Sequence, residues 1–254
     1  MIVINLKNDL QEFWNKASEN THAERVDLWG SSIEKKYKKI FDEQCKKYKS
    51  VFSDSDFSKT PFYVMPSCMT FNGRGGSNSD YPGQPVMYMG IDYISKRNDD
   101  LDLFFSHELF HIYHINRMKV DEKVFMTEER LTLPLWLEGL ATYVSGEFCP
   151  NRVLPELLMD KNFEDFDESC VANICSKFKV VANEKIDHND MKTYQSLFNF
   201  QTAPFIEGLP PRLGYFLGYY VVKEVLKSNV LSDVVIWDHK KAHTKVLEAL
   251  QCLS

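Results

Sequence analysis

The chain is poor in everything that would cross-link it, anchor it in a bilayer or draw it to nucleic acid. Its six cysteines are scattered over 254 residues without a C-x-x-C pair. That pattern excludes a disulfide framework and a zinc site built on thiolates, and the cysteines read as reduced thiols, mostly small core residues. Basic residues are in deficit, 30 Lys and Arg against 36 Asp and Glu, for a net charge of -6. A nucleic-acid partner is not expected, because such binding draws on a clustered basic surplus. No apolar run approaches the roughly 18 residues that a membrane span needs. The opening stretch from Met1 to Leu10 has no basic leader, no unbroken apolar segment and no small-residue cleavage site. It predicts a cytoplasmic protein, with export by a leaderless route left open.

What remains is an ordinary globular composition, 44% hydrophobic and 26% charged, in a chain long enough to bury a sizeable core. Leu6, Leu10, Phe13 and Trp14 recur at helical spacing, as do Ile33, Tyr37, Ile40, Phe41, Cys45 and Tyr48, so two amphipathic helices are expected in the first fifty residues. Two segments of strand character follow, Pro61 to Phe71 and Pro85 to Ile94. Between them, Asn72 to Gln84 is a long, glycine-rich polar loop. No G-K-[ST] follows its glycines and no helix opens behind it, so a phosphate cradle is disfavoured and a flexible connection expected.

From Asp99 onward the pattern is helical. One long helix runs from Leu101 to Met118 with Asp99 or Asp100 as its cap, and another from Pro134 to Glu147. Further helices are predicted over Phe163 to Phe178, Met191 to Phe198, Leu213 to Leu226 and Lys240 to Leu250. The expected class is α+β, mostly helical, with a small sheet packed on the long helix and a helical C-terminal lobe. A single domain over 1–254 is expected, with lobes of about 1–130 and 131–254.

The long helix carries Ser106-His107-Glu108-Leu109-Phe110-His111, an H-E-x-x-H motif. Four residues are slightly more than one turn, so His107 and His111 leave the same face. Two imidazoles so placed can hold one zinc ion at about 2.0–2.1 Å each. Glu108, about 100° round the helix, stands beside such an ion and can take a proton from water. A chain with this many His and Glu residues would show the motif by chance about once in a hundred cases.

Zinc needs a third protein ligand. His114 shares the stripe, but seven residues put it roughly 10 Å along the axis from His107, too far for one ion. Glu138, in Leu135-Trp136-Leu137-Glu138-Gly139-Leu140-Ala141, is a carboxylate on an apolar helix face, where an unpaired charge would be costly. Gly139 and Ala141 permit close approach to another helix. A structural pairing of Glu138 with Arg130 stays open, as do Glu128 and Glu129 as rival ligands.

With these motifs in view, the sequence resembles the gluzincin metallopeptidases. A zinc-binding H-E-x-x-H helix is followed there by a second helix whose glutamate is the third ligand, as in Trp136-Leu-Glu-Gly-Leu-Ala-Thr-Tyr143 here. The glycine-rich loop, Val86 to Asp92, and Pro210-Pro-Arg-Leu-Gly-Tyr-Phe-Leu-Gly-Tyr219 are similar to an uncharacterised family of predicted zinc-dependent proteases. The resemblance covers roughly residues 60 to 225. It implies a zincin-like fold, Zn2+ as cofactor, and His107, His111 and Glu138 as its ligands. The implied activity is peptide-bond hydrolysis on a peptide or protein substrate, with water activated by zinc and Glu108. The G-x-M-E-N motif of the gluzincin aminopeptidases is absent, which turns the expectation towards an endopeptidase of intracellular or effector type. Tyr215 and Tyr219 are the candidates for stabilising the oxyanion, with Tyr143 and His188 behind them; Arg212 is a candidate for binding a substrate carboxylate, although an ordinary surface arginine is the stronger reading. A substrate strand is expected along the edge formed by Val86 to Asp92. The competing reading is a zincin-like binding protein without catalysis. The oligomeric state is left open.

Overall fold

A computed structural model describes residues 2–3, 31–76, 80, 85–118, 129–187, 189–199 and 202–254. The chain is α+β and mostly helical. It divides into two compact units, Met1–Ile112 and Tyr113–Ser254, and the division falls inside one continuous helix. The helix predicted around Leu6 to Trp14 lies outside the described residues.

In the first unit, strands β1 (Ile2–Val3), β2 (Phe62–Met65), β3 (Gly73–Gly76) and β4 (Val86–Gly90) form one sheet in the order β1-β2-β4-β3. β1, β2 and β4 run parallel, whereas β3 is antiparallel to β4 with Gly73 opposite Met89. The glycine-rich segment, expected as a loop throughout, therefore contributes a strand. β4 is flanked on both sides, so the free edge expected along Val86 to Asp92 is not there. The predicted strand from Pro85 also stops early, because Ile91–Arg97 turns into a short helix, α2.

Helix α1 (Ser31–Val51) repeats its apolar positions at 3–4 residue spacing and buries Tyr37, Ile40, Phe41 and Tyr48. Phe41 meets Phe62 of the sheet edge-on, with ring centroids 4.6 Å apart, and Phe105 of helix α3 (Leu101–Met118) at 6.4 Å. Two polar contacts fix α1 against the same helix. The Tyr48 hydroxyl donates to the Ser106 carbonyl at 2.6 Å, and the Gln44 amide donates to Asp102 at 3.1 Å. A buried hydrogen bond of the first kind contributes about 1 kcal/mol and leaves a costly orphan when broken. α3 begins where the sequence places it. Asp100 Oδ1 accepts from the backbone N–H groups of Asp102 and Leu103, the expected cap.

The second unit is built of helices. In chain order these are α4 (Thr132–Phe148), α5 (Leu154–Leu157), α6 (Val171–Val181), α7 (Lys192–Phe198), α8 (Leu213–Leu226), α9 (Leu231–Val234) and α10 (His239–Cys252). Pro134 sits in the first turn of α4, two residues later than predicted, where its missing N–H costs nothing. The helix predicted from Phe163 to Phe178 is broken. Two short 3-10 turns precede α6, each held by an Asp side chain, Asp160 or Asp167, that accepts from the backbone two residues on.

α4 and α8 cross almost in backbone contact. A Cβ built on Gly139 would collide with the Gly218 carbonyl, and one on Gly218 would stand 2.5 Å from Leu135 O and 3.0 Å from Gly139 Cα. Gly139 thus makes the close helix approach that the sequence suggests, and makes it with α8. Round this crossing Trp136 stacks on Trp237 at 5.5 Å and Phe163 on Phe216 at 5.6 Å. Among the described residues no helix is long and apolar enough to cross a membrane, and none of the six cysteines is in a disulfide. Overpacking of this kind costs about 1–3 kcal/mol. Gly139→Ala is therefore expected to lower the unfolding free energy measured by urea titration by that amount, and an unchanged value would contradict the crossing.

Candidate metal centre

The two histidines of the motif stand one turn apart on α3, and their rings face each other. Their Nε2 atoms are 3.0 Å apart, with ring centroids at 4.7 Å and planes at 79°. Two nitrogens bound to one tetrahedral ion at about 2.05 Å would lie roughly 3.3 Å apart, so this pair needs only a small adjustment to share a cation. His107 is buried and His111 half-buried. The turn that carries them is the one tied down by Tyr48 at Ser106, the residue just before His107.

Glu138 completes the group. One donor atom from each of His107, His111 and Glu138 lies within 4.8 Å of the others, and the set of two imidazoles and a carboxylate is one that zinc takes. The structure therefore brings together the three residues singled out in the sequence. His114 is buried on α3 but is not part of the cluster, in keeping with its distance along the axis. Glu129 is half-buried and also outside the cluster, its backbone carbonyl accepting from Ile186 N. Glu128 and His188 lie outside the described residues. Arg130 is engaged with the Asn183 carbonyl.

Glu108 stands next to His107 with its carboxylate against β3. A Cβ built on Gly73 would meet Glu108 Oε1 at 2.5 Å and the tip of Phe104 at 2.7 Å.

Two phenols feel the charge of Glu138. Burial pushes the Tyr215 hydroxyl well above its ordinary value and the Glu138 carboxylate pushes it further, while Arg212 opposes the shift. Tyr194 on α7 is raised for the same reasons, burial first, then Glu138 and Glu129. Both keep their protons over the physiological range and so remain hydrogen-bond donors. Tyr194 was missed in the sequence, where it stands in a polar segment with no motif; only the fold of α7 brings it near Glu138.

Arg212, read from the sequence as a surface arginine with carboxylate binding as the alternative, is instead buried. It donates to the Leu158 carbonyl at 2.8 Å and lies 3.8 Å over the Tyr215 ring. It occupies the left-handed region at φ 63° just before α8 begins. Tyr219, one turn further along α8, is paired with Tyr143 at 6.2 Å and lies under the Lys223 ammonium at 5.6 Å.

The family described as "Predicted Zn-dependent protease (DUF2268)" matches residues 37–243. The chain belongs to this family of predicted zinc-dependent proteases, whose matched span contains the whole His107, His111 and Glu138 cluster. No curated protein and no solved structure matches the chain.

Loss of an outer-sphere partner alone weakens zinc binding by about 10–100-fold. Loss of a direct ligand in His111→Ala or Glu138→Ala should weaken it at least as much. Zinc content measured after dialysis against a graded chelator checks this, and undiminished retention in both variants would exclude the cluster as the metal centre.

Proposed function

We propose that the chain is a zinc-dependent endopeptidase of gluzincin type, a single zincin-like catalytic domain acting on peptide or protein substrates. The observation that carries the reading is the convergence of His107, His111 and Glu138 donor atoms, with Glu108 following His107 on the same helix. Family membership supports it, because the family is described as predicted zinc-dependent proteases.

His107, His111 and Glu138 would hold the ion through two neutral nitrogens and one carboxylate oxygen, three protein ligands being the number that leaves a coordination position open. When bound, zinc supplies Lewis acidity towards water and the scissile carbonyl. Glu108 accepts the proton of the attacking water and passes it to the leaving amine, as a general base and then a general acid. Tyr215, kept protonated by burial and by Glu138, donates to the oxygen on which charge develops. Arg212 holds the Tyr215 ring in place from its face. Tyr219 is the second candidate for that donor, and its engagement with Tyr143 and Lys223 favours Tyr215.

General acid–base catalysis contributes about 10²–10⁴-fold. Glu108→Gln is expected to keep its zinc and lose kcat by at least that factor in peptide-library digestion. Zinc retention with undiminished cleavage would defeat the assignment of Glu108. A zinc-bound wild-type chain that cleaves no peptide would instead favour a non-catalytic binding protein. Tyr215→Phe should lose about 10²-fold in kcat, the scale of one oxyanion donor, and Tyr219→Phe less.

A further inference from the structure

Asn72-Gly73-Arg74-Gly75-Gly76 reads as a flexible stretch, yet the structure treats its glycines differently. A Cβ on Gly75 would meet nothing within 4 Å, whereas one on Gly73 would strike Glu108 Oε1 at 2.5 Å, Glu108 Cδ at 2.7 Å and Phe104 Cζ at 2.7 Å. Backbone conformation does not explain the glycine at 73, since among the described glycines only Gly208 has a positive φ. What position 73 requires is the lack of a side chain.

Neither wall of this contact can retreat. On the sheet side, Gly73 is registered opposite the buried Met89, the Asn72 carbonyl accepts from Gly90 N at 2.7 Å, and Gly73 N donates to Asn72 Oδ1 at 2.8 Å. On the helix side, α3 is held by the Tyr48 bond to Ser106, and Phe104 is fully buried. The Glu108 carboxylate is the far end of a flexible side chain, so it is the group that any added atom would displace.

We propose that Gly73 is a positioning residue for Glu108. Its missing side chain is the space in which the Glu108 carboxylate stands, and a side chain there would push that carboxylate out of place. This inference rests on the reading of Glu108 as the proton acceptor for its bearing on hydrolysis, while its steric part stands without that reading. A displacement of about 1 Å at a reacting group can cost about 10²-fold in rate. Gly73 exerts this control without touching substrate.

The test uses the full zinc-loaded chain as wild type, Gly73→Ala, Gly75→Ala, Glu108→Ala and the Gly73→Ala/Glu108→Ala double variant. Thermal midpoints form a double-mutant cycle. Gly73→Ala should lower the midpoint in the wild-type background and by less once the Glu108 carboxylate is gone, the Phe104 contact being common to both backgrounds. Equal losses in the two backgrounds would overturn the proposal. If Gly73→Ala does not fold, recovery of folded protein in the double variant supports the proposal, and its equal failure overturns it. In peptide digestion, Gly73→Ala should keep one zinc per chain and an unchanged KM while kcat falls about 10²-fold, with Gly75→Ala at the wild-type rate. A Gly73→Ala chain as active as Gly75→Ala would overturn it. Should wild type cleave nothing, the peptidase reading fails on its own, and the thermal cycle still decides whether Gly73 sets the place of Glu108.

Discussion

Two imidazole nitrogens 3.0 Å apart on one face of a helix are tolerable only if they share a proton or a cation, and the surrounding construction serves to keep them there. Helical geometry alone aims His107 and His111 the same way. Keeping the rings aimed depends on the turn beneath them. The Tyr48 hydroxyl at the Ser106 carbonyl and the aromatic cluster of Phe41, Phe62 and Phe105 fix that turn against α1 and the sheet. The same anchoring holds Glu108, one residue on, so His107 and Glu108 share a single turn of one helix.

In the second unit the corresponding constraint is the glycine contact between α4 and α8. With no side chain on Gly139 or Gly218 the helices touch backbone to backbone, and the charge of Glu138 on α4 then reaches Tyr215 on α8. The buried Arg212 works on the same ring from the other direction. Its guanidinium favours the ionised phenol while burial and Glu138 oppose it, and the opposing effects win. A hydroxyl in these surroundings is a donor that does not titrate away.

The helices that carry the site were legible in the sequence because their signals are local. The 3.6-residue periodicity marks α1, α3, α4, α8 and α10, Asp100 caps α3 as expected, and H-E-x-x-H declares its own face. The errors have a common cause. Gly73 to Gly76 reads as a loop because glycine carries no strand preference of its own, and only pairing with β4 makes it a strand. The supposed free edge of β4 disappears for the same reason. The Phe163 to Phe178 periodicity is real, but Asp160 and Asp167 bond their own backbone and cut the helix into turns. Arg212 reads as a surface residue because arginine usually is one. Its burial follows from a left-handed residue at the start of α8 and an acceptor 54 positions away.

Spacing along the chain by itself determined the helix that bears the two histidines and the order Glu108, His107, His111 round its faces, and it pointed to Glu138 as a carboxylate on an apolar helix face, since each follows from the pitch of a helix and the cost of burying an ion. Tertiary structure alone decided that the three donors come within 4.8 Å, that Tyr215 and Tyr194 feel Glu138, and that a Cβ at position 73 would meet the Glu108 carboxylate. These are contacts between segments from about 27 to 77 residues apart along the chain, set by packing of buried surfaces that no local pattern encodes.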